Sequence, residues 1–282
     1  MLIVKIKGGL GNQLFQYGFG RFLSNMCSEE LLLDNMTLGS VGDTKRQYKL
    51  DNFNIKANIA TREQVEIVKY QHGTLSKIWQ IFQAKLFRKY YIGYHPELIK
   101  SKKTYYEGYF QSHRYLEPIR SELLDDLQLR RELSQEAEAI LPLILASNSV
   151  SIHVRRGDYV NNTNRQYQTF GIEYYRNAIS VIKQKISNPS FFLFTDDVEW
   201  CKKNISTLVN NIKFVSGDGL PDYEELVLMS KCSHNIIANS SFSFWGAWLN
   251  QNNDKIVIAP KIWSSRYKRE FEDLLPNSWL KI

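Results

Sequence analysis

Four short stretches of this chain carry side chains that could do chemistry. In Ser149-Val150-Ser151-Ile152-His153-Val154-Arg155-Arg156-Gly157-Asp158, the alternation of Val150, Ile152 and Val154 reads as a strand with one buried face, running directly into two arginines, a glycine and an aspartate. A guanidinium presents a fixed fork of N–H donors that matches phosphate oxygens, and it keeps its charge at physiological pH. Gly157 lets the backbone turn or approach a ligand closely. The stretch reads as a diphosphate clamp made by Arg155 and Arg156; the alternative is an exposed strand end with Arg–Asp pairing. A second run, Phe191 to Phe194, delivers Thr195-Asp196-Asp197. Asp196 suits recognition of a base or ribose, and Asp197 suits capping of the following helix. Asn239-Ser240-Ser241 precedes Phe242 at the start of an apolar helix, where amides and hydroxyls fit either a helix-start phosphate site or plain N-capping.

The fourth stretch, Gly8-Gly9-Leu10-Gly11-Asn12-Gln13, follows an alternating first strand and opens a helix marked by Leu14, Phe15, Phe19, Phe22 and Leu23. Backbone amides at Gly9 and Gly11 could cradle a phosphate, with the Asn12 and Gln13 amides reaching a ligand. Close helix–sheet packing explains the same glycines. The turn is not a dinucleotide fingerprint, because Leu14 stands at the third glycine position, and it lacks the Gly-Lys-Ser/Thr ending of a Walker loop.

The elements that must position these groups follow from periodicity. Beyond the first strand, Leu2 to Ile6, strands are expected at Glu29 to Asp34 and Thr104 to Phe110, and helices at His113 to Leu127 and Ser134 to Leu145, the last kinked or cut short by Pro142. Leu75, Ile78, Trp79, Phe82 and Leu86 mark an amphipathic helix leading into a basic, aromatic segment at Arg88 to Tyr91. From Ser149 onward, strands near residues 150, 190, 212, 235 and 255 alternate with helices, which argues for a parallel sheet covered on both faces. Domains of 1–147 and 148–282 are expected, with a C-terminal tail able to return to the first.

Composition narrows the classes. The chain has 282 residues, 43% of them hydrophobic, and so can bury two ordinary cores. No apolar run is long enough for a membrane span, and with no export signal the expected compartment is the cytoplasm. Three scattered cysteines support neither a disulfide framework nor a zinc site. A net charge of +7 favours anionic partners, but no nucleic-acid-binding motif accompanies it, which leaves a basic nucleic-acid-binding protein as the rival class. No D-x-D triplet occurs, so arginines rather than a divalent cation would neutralise a bound diphosphate, and no metal or other cofactor is expected.

Together, Gly8 to Tyr17, His153 to Tyr159 and Asn239 to Gly246, supported by Phe194 to Asp197 and Ile258 to Trp263, resemble the bacterial α-1,2-fucosyltransferases. Gly18 stands where that family more often has alanine. The resemblance implies an α/β, GT-B architecture of two Rossmann-like domains across a cleft, the second holding GDP-fucose and the first, on the acceptor side, contributing the glycine turn and acceptor contacts. It implies an inverting, metal-independent transfer of fucose from GDP-fucose to the 2-hydroxyl of a galactose-terminated or lipid-linked glycan, such as O-antigen. Another linkage would use the same donor motifs. The donor would contact Gly9, Gly11, Asn12, Gln13, Arg155, Arg156, Asp196, Asn239, Ser240, Ser241 and Phe242. Arg155 would be catalytic, with His153 or Asp158 as base unless the departing phosphate serves. Peripheral contact with the inner membrane would suit a lipid-linked acceptor.

Overall fold

A computed structural model describes residues 1–39, 46–69, 91–101, 104–157, 169–217 and 219–282. The stripe from Leu75 to Leu86, the residues Arg88, Lys89 and Tyr90, and residues 158–168, Asp158 among them, lie outside the described residues. Two compact units emerge: Met1–Arg130 with Glu270–Leu274, and Arg131–Arg269 with Leu275–Ile282.

In the first unit, β1 (Leu2–Lys5), β2 (Leu31–Asp34), β3 (Asn58–Ile59) and β4 (Tyr105–Tyr106) form a parallel sheet in the order β3-β2-β1-β4. Helix α1 (Leu10–Cys27) buries most of its first four turns, not only an apolar stripe, because its polar residues there have partners. Gln16 donates to the Gly108 carbonyl at 3.0 Å and accepts from the Lys7 amide at 2.9 Å. The Tyr17 hydroxyl donates to Asp126 at 2.6 Å, and Arg21 Nε donates to the same oxygen at 3.0 Å. Phe19 stacks on Phe110 with ring centroids 3.8 Å apart. The strand expected at Thr104 to Phe110 is confined to β4, and Phe110 itself adopts a left-handed φ of 52° that no strand continues through. After helix α2 (Arg62–Lys69), the expected helix His113 to Leu127 divides into α3 (His113–Leu116) and α4 (Arg120–Asp126). The intervening 3-10 turn, Glu117–Ile119, contains Pro118, which has no N–H to continue the α ladder.

The second unit begins with α5 (Gln135–Leu145), so the chain divides after Arg130 and not at 147. The reason is a buried carboxylate: Glu224 accepts from the Ser134 amide at 3.0 Å and from its hydroxyl at 2.5 Å, which fixes the start of α5 within this unit. Pro142 does not end α5 early. Its missing donor leaves the carbonyl of Glu138, which lies on the exposed face where water can serve it.

The remaining elements are β5 (Ser149–Val154), α6 (Ile172–Lys185), β6 (Ser190–Thr195), α7 (Val198–Asn204), β7 (Ile212–Phe214), α8 (Asp222–Lys231), β8 (His234–Ile236), α9 (Ser241–Trp248), β9 (Val257–Ala259) and β10 (Leu280–Lys281). The strands form one parallel sheet in the order β10-β9-β8-β5-β6-β7. The chain builds outward from β5 to β7, then returns to lay β8 on the other side of β5. This is the strand order of a Rossmann fold, with its switch point between β5 and β8. Strand β5 is buried on both faces, contrary to the one-sided pattern expected. Serines make this possible, being small and bonded: Ser151 accepts from Asn235 at 2.7 Å, and Ser149 from the Ser233 amide at 3.0 Å.

One glycine in α1 sets how closely that helix lies on its sheet. A Cβ on Gly20 would come within 2.7 Å of Leu31 and 2.9 Å of Val4. Gly20→Ala is therefore expected to lower stability by about 1–2 kcal/mol despite alanine's better helix propensity, read as a reduced midpoint in thermal unfolding.

Candidate active site

Two arginines at the end of β5 meet two aspartates at the end of β6. Arg155 Nη1 donates to Asp196 Oδ2 at 2.8 Å, and the Arg156 amide donates to Asp196 Oδ1 at 2.7 Å. Arg156 Nε donates to Asp197 Oδ2 at 3.1 Å, and its guanidinium lies 4.2 Å over the Trp200 ring. Asp197 also caps α7 by accepting from the Trp200 amide at 3.1 Å, as its position predicted. Asp196, expected to read a base or ribose, has both oxygens bonded to the arginine pair, one to each residue. The backbone is drawn in closely as well: a Cβ on Gly157 would stand 3.0 Å from Asp196 Oδ2. At this half-buried depth such pairs add little stability, and their value lies in geometry.

Across the switch point, the chain beyond β8 supplies Asn239, Ser240, Ser241 and Phe242. Asn239 is buried and donates to the Trp263 carbonyl at 3.1 Å. Ser240 occupies the N-cap position of α9, but its side chain makes no capping hydrogen bond, so capping does not account for it. The Phe242 ring packs 5.6 Å from that of His153, bridging the two strand ends. His153 is 5% exposed, and its Nδ1 has no hydrogen-bond partner among the described residues. Burial, with help from the charge of Arg155, lowers its pKa to about 3, which makes the imidazole neutral at physiological pH and a poor general base. The expected base role of His153 is thus disfavoured. Two adjacent tyrosines of α6 hold the strand ends from beneath: Tyr175 donates to the His153 carbonyl at 3.3 Å, and Tyr174 to the Ile237 carbonyl at 2.5 Å.

The glycine turn lies in the first unit. Gly8 has a φ of 79°, and Gly9 stands at the N-cap of α1 without a side-chain cap. Gln13, expected to meet the donor, is fully buried in internal bonds: it donates to the carbonyls of Gly8 at 3.0 Å and Gln47 at 2.8 Å, and accepts from the Lys49 amide at 3.0 Å. Its role is to tie the turn to the following loop. Gly11 is buried in the first turn of α1. Asn12 accepts from Gln111 at 2.7 Å.

The model of the family described as Glycosyl transferase family 11 matches residues 1–282. The chain belongs to glycosyl transferase family 11. This family-11 chain is 32% identical to an α-1,2-colitosyltransferase of Escherichia coli over 297 residues, covering 100% of itself and 99% of that protein. It is 30% identical to the O-antigen biosynthesis glycosyltransferase WbnK of Escherichia coli, covering 98% and 99%. It is 24% identical to the mouse galactoside 2-α-L-fucosyltransferase Sec1, covering 92% of itself and 67% of that protein. Among solved structures it resembles the fucosyltransferase NodZ from Bradyrhizobium, with a TM-score of 0.55 and 14% identity over 87% of this chain and 91% of that one. That likeness shows a shared fold, the GT-B class of α/β protein.

Among the described residues of the transferase, no helix is long and apolar enough to cross a membrane, and no group of three or more His, Cys, Asp or Glu side chains is placed to hold a metal ion. One group near the arginine clamp escaped the sequence reading. Glu225 follows three helix-start residues, two of them acidic, and looks like a further complement to the α8 dipole. Successive helical residues point about 100° apart, so Glu224 holds Ser134 while Glu225 turns toward Ser216, whose hydroxyl accepts from the Thr195 amide at 2.8 Å. Burial raises the Glu225 pKa to about 7; a hydrogen bond from Ser216 opposes this, and the charges of Asp222 and Asp196 add to it. The folded state therefore favours the protonated acid, and stability should fall as pH rises from about 4.5 through 7. Glu225→Gln mimics the neutral form. It is expected to gain about 1–2 kcal/mol over wild type at pH 8 and nothing at pH 4, measured as unfolding midpoints across that range.

Proposed function

We propose that this family-11 enzyme transfers L-fucose from GDP-β-L-fucose to the 2-hydroxyl of a galactose residue, with inversion. The observation that carries the reading is Arg155, fixed on Asp196 at the carboxyl end of a central strand beside a Rossmann switch point. In the reaction the acceptor oxygen bonds to C1 as the bond from C1 to the β-phosphate oxygen breaks, and GDP departs with the electron pair. Charge grows on that phosphate, so Arg155 stabilises the transition state more than the ground state. Arg156, steadied by Asp197 and Trp200, neutralises the diphosphate alongside it, in place of a divalent cation. Asn239, Ser240, Ser241 and Phe242 border the diphosphate from the β8 side. Burial and the charge of Arg155 make His153 weakly basic, so the acceptor proton goes by preference to Asp158 or to the departing phosphate oxygen. The likeness to WbnK supports an O-antigen type of acceptor; in this reading the acceptor is galactose-terminated or lipid-linked and is reached from the cytoplasmic side with peripheral membrane contact.

A second reading concerns the donor sugar. The full-length similarity to a colitosyltransferase favours GDP-colitose, in which the sugar lacks the 3-hydroxyl of fucose. The two readings share the clamp and differ only at the hexose.

Arg155→Ala is expected to fold with an unchanged melting temperature and to lose about a hundredfold or more in kcat, roughly 3 kcal/mol. Wild-type turnover should survive EDTA. Incubating the enzyme with equal GDP-fucose and GDP-colitose and several galactosides, then assigning linkages by NMR, decides donor and bond; preferential colitose transfer selects the second reading.

A further inference from the structure

A chain of hydrogen bonds runs from the arginine clamp into the second unit and ends on Glu225. Its middle link is Thr195, the buried last residue of β6. The Thr195 hydroxyl accepts from the Asp197 amide at 3.0 Å, and the Thr195 amide donates to the Ser216 hydroxyl at 2.8 Å. Ser216 is also buried; it follows β7 and stands before Gly217, whose φ of 109° turns the backbone. While accepting from Thr195, the Ser216 hydroxyl donates to the Glu225 carboxyl. At the other end of the chain, Asp196 and Asp197 hold Arg155 and Arg156. One carboxyl on α8 is thus joined, through two small hydroxyl residues, to the strand end that sets both guanidinium groups.

The charges that act on Glu225 have one sign. Asp196 and Asp222 both oppose its ionisation, and burial opposes it more. Helix α9, which packs on α8, has no ionisable side chain. Helix α5, on the same neighbour, buries Ala137, Ile140 and Ile144 and leaves Glu136 and Glu138 exposed. Beside the clamp, His153 is lowered to about 3 and Cys201 is pushed up to about 11, so neither changes charge between pH 6 and pH 8. Glu225, at about 7, does. A diphosphate seated on Arg155 adds negative charge beside Asp196, and so acts on Glu225 with the same sign. Linkage is reciprocal: a ligand that favours the protonated acid is itself bound more tightly by that form. We propose that Glu225 is a positioning residue of the donor site, joined to the clamp through Ser216 and Thr195, and that it takes up a proton when the nucleotide diphosphate binds. This role presupposes the donor reading of the clamp given above. The proton comes from solvent and returns there when the nucleotide leaves.

The test is GDP-fucose binding by calorimetry from pH 6 to pH 8, without acceptor and in buffers of unlike ionisation enthalpy. GDP-fucose suits it because neither of its phosphates titrates over this range, whereas the terminal phosphate of GDP has a second pKa of about 6. Wild-type affinity should fall about fivefold from pH 6 to pH 8, with uptake of about half a proton at pH 7.5. Glu225→Gln should bind at pH 8 as tightly as wild type does at pH 6, with no pH dependence and no proton uptake. Ser216→Ala removes a donor that favours the carboxylate, so its affinity should begin to fall at a higher pH than that of wild type. A glutamate with a structural role alone would move the unfolding midpoints of these variants and leave proton uptake unchanged. Wild-type affinity that is flat with pH, or a pH dependence that persists in Glu225→Gln, would overturn the proposal. Failure of the wild type to bind GDP-fucose at any pH would refute the donor reading instead.

Discussion

Asp196 accepts from the two residues that follow β5, through Oδ2 from the Arg155 side chain and through Oδ1 from the Arg156 backbone. A guanidinium on a free strand end would sample many rotamers, and ordering it on a ligand would cost binding energy. One carboxylate, delivered by the neighbouring parallel strand in register with Thr195 opposite Val154, removes that freedom beforehand. The geometry depends on β5 and β6 being adjacent, which in turn requires the two-sided burial of β5. The sheet, the clamp and its electrostatics are thus one construction.

Burial also shapes the chemistry available beside the clamp. His153 lies near the end of β5, two residues before Arg155, where desolvation and a positive neighbour both oppose its protonation. Glu225 experiences the opposite sign of the same effect, since desolvation and nearby carboxylates oppose its ionisation. Burial thus favours the neutral forms of His153 and Glu225, while the two arginines stay charged.

Much of this was legible in the sequence because strand ends in a parallel sheet announce themselves. Apolar runs stopping at Arg155, Asp196 and Asn239 are visible without a structure, and so is the strand–helix alternation that makes the sheet parallel. Which partner each polar group chooses was not legible. Asp196 was read as facing a nucleotide, yet its donors come from a strand forty residues earlier. Gln13 was read as facing a ligand, yet its partners Gln47 and Lys49 lie in a loop with no periodic pattern. Glu225 was hidden among acids that suit any helix start. The division after Arg130 was hidden for a related reason: the apolar stripe of α5 does not say which unit it packs on, whereas the Ser134–Glu224 bonds tie its start to α8 of the second unit.

Tyr174 and Tyr175 deserve a final consequence. Consecutive residues of a single helix grip the two lips of the β5/β8 gap, one through His153 and the other through Ile237. The width of that mouth is accordingly gauged by one peptide unit of α6, much as a caliper is set by its pivot. A roll of α6 about its axis would slacken one jaw while tightening the other. Substitutions in the core under this helix, at Ala178 or Ile179, would then retune the aperture without touching any residue that borders it.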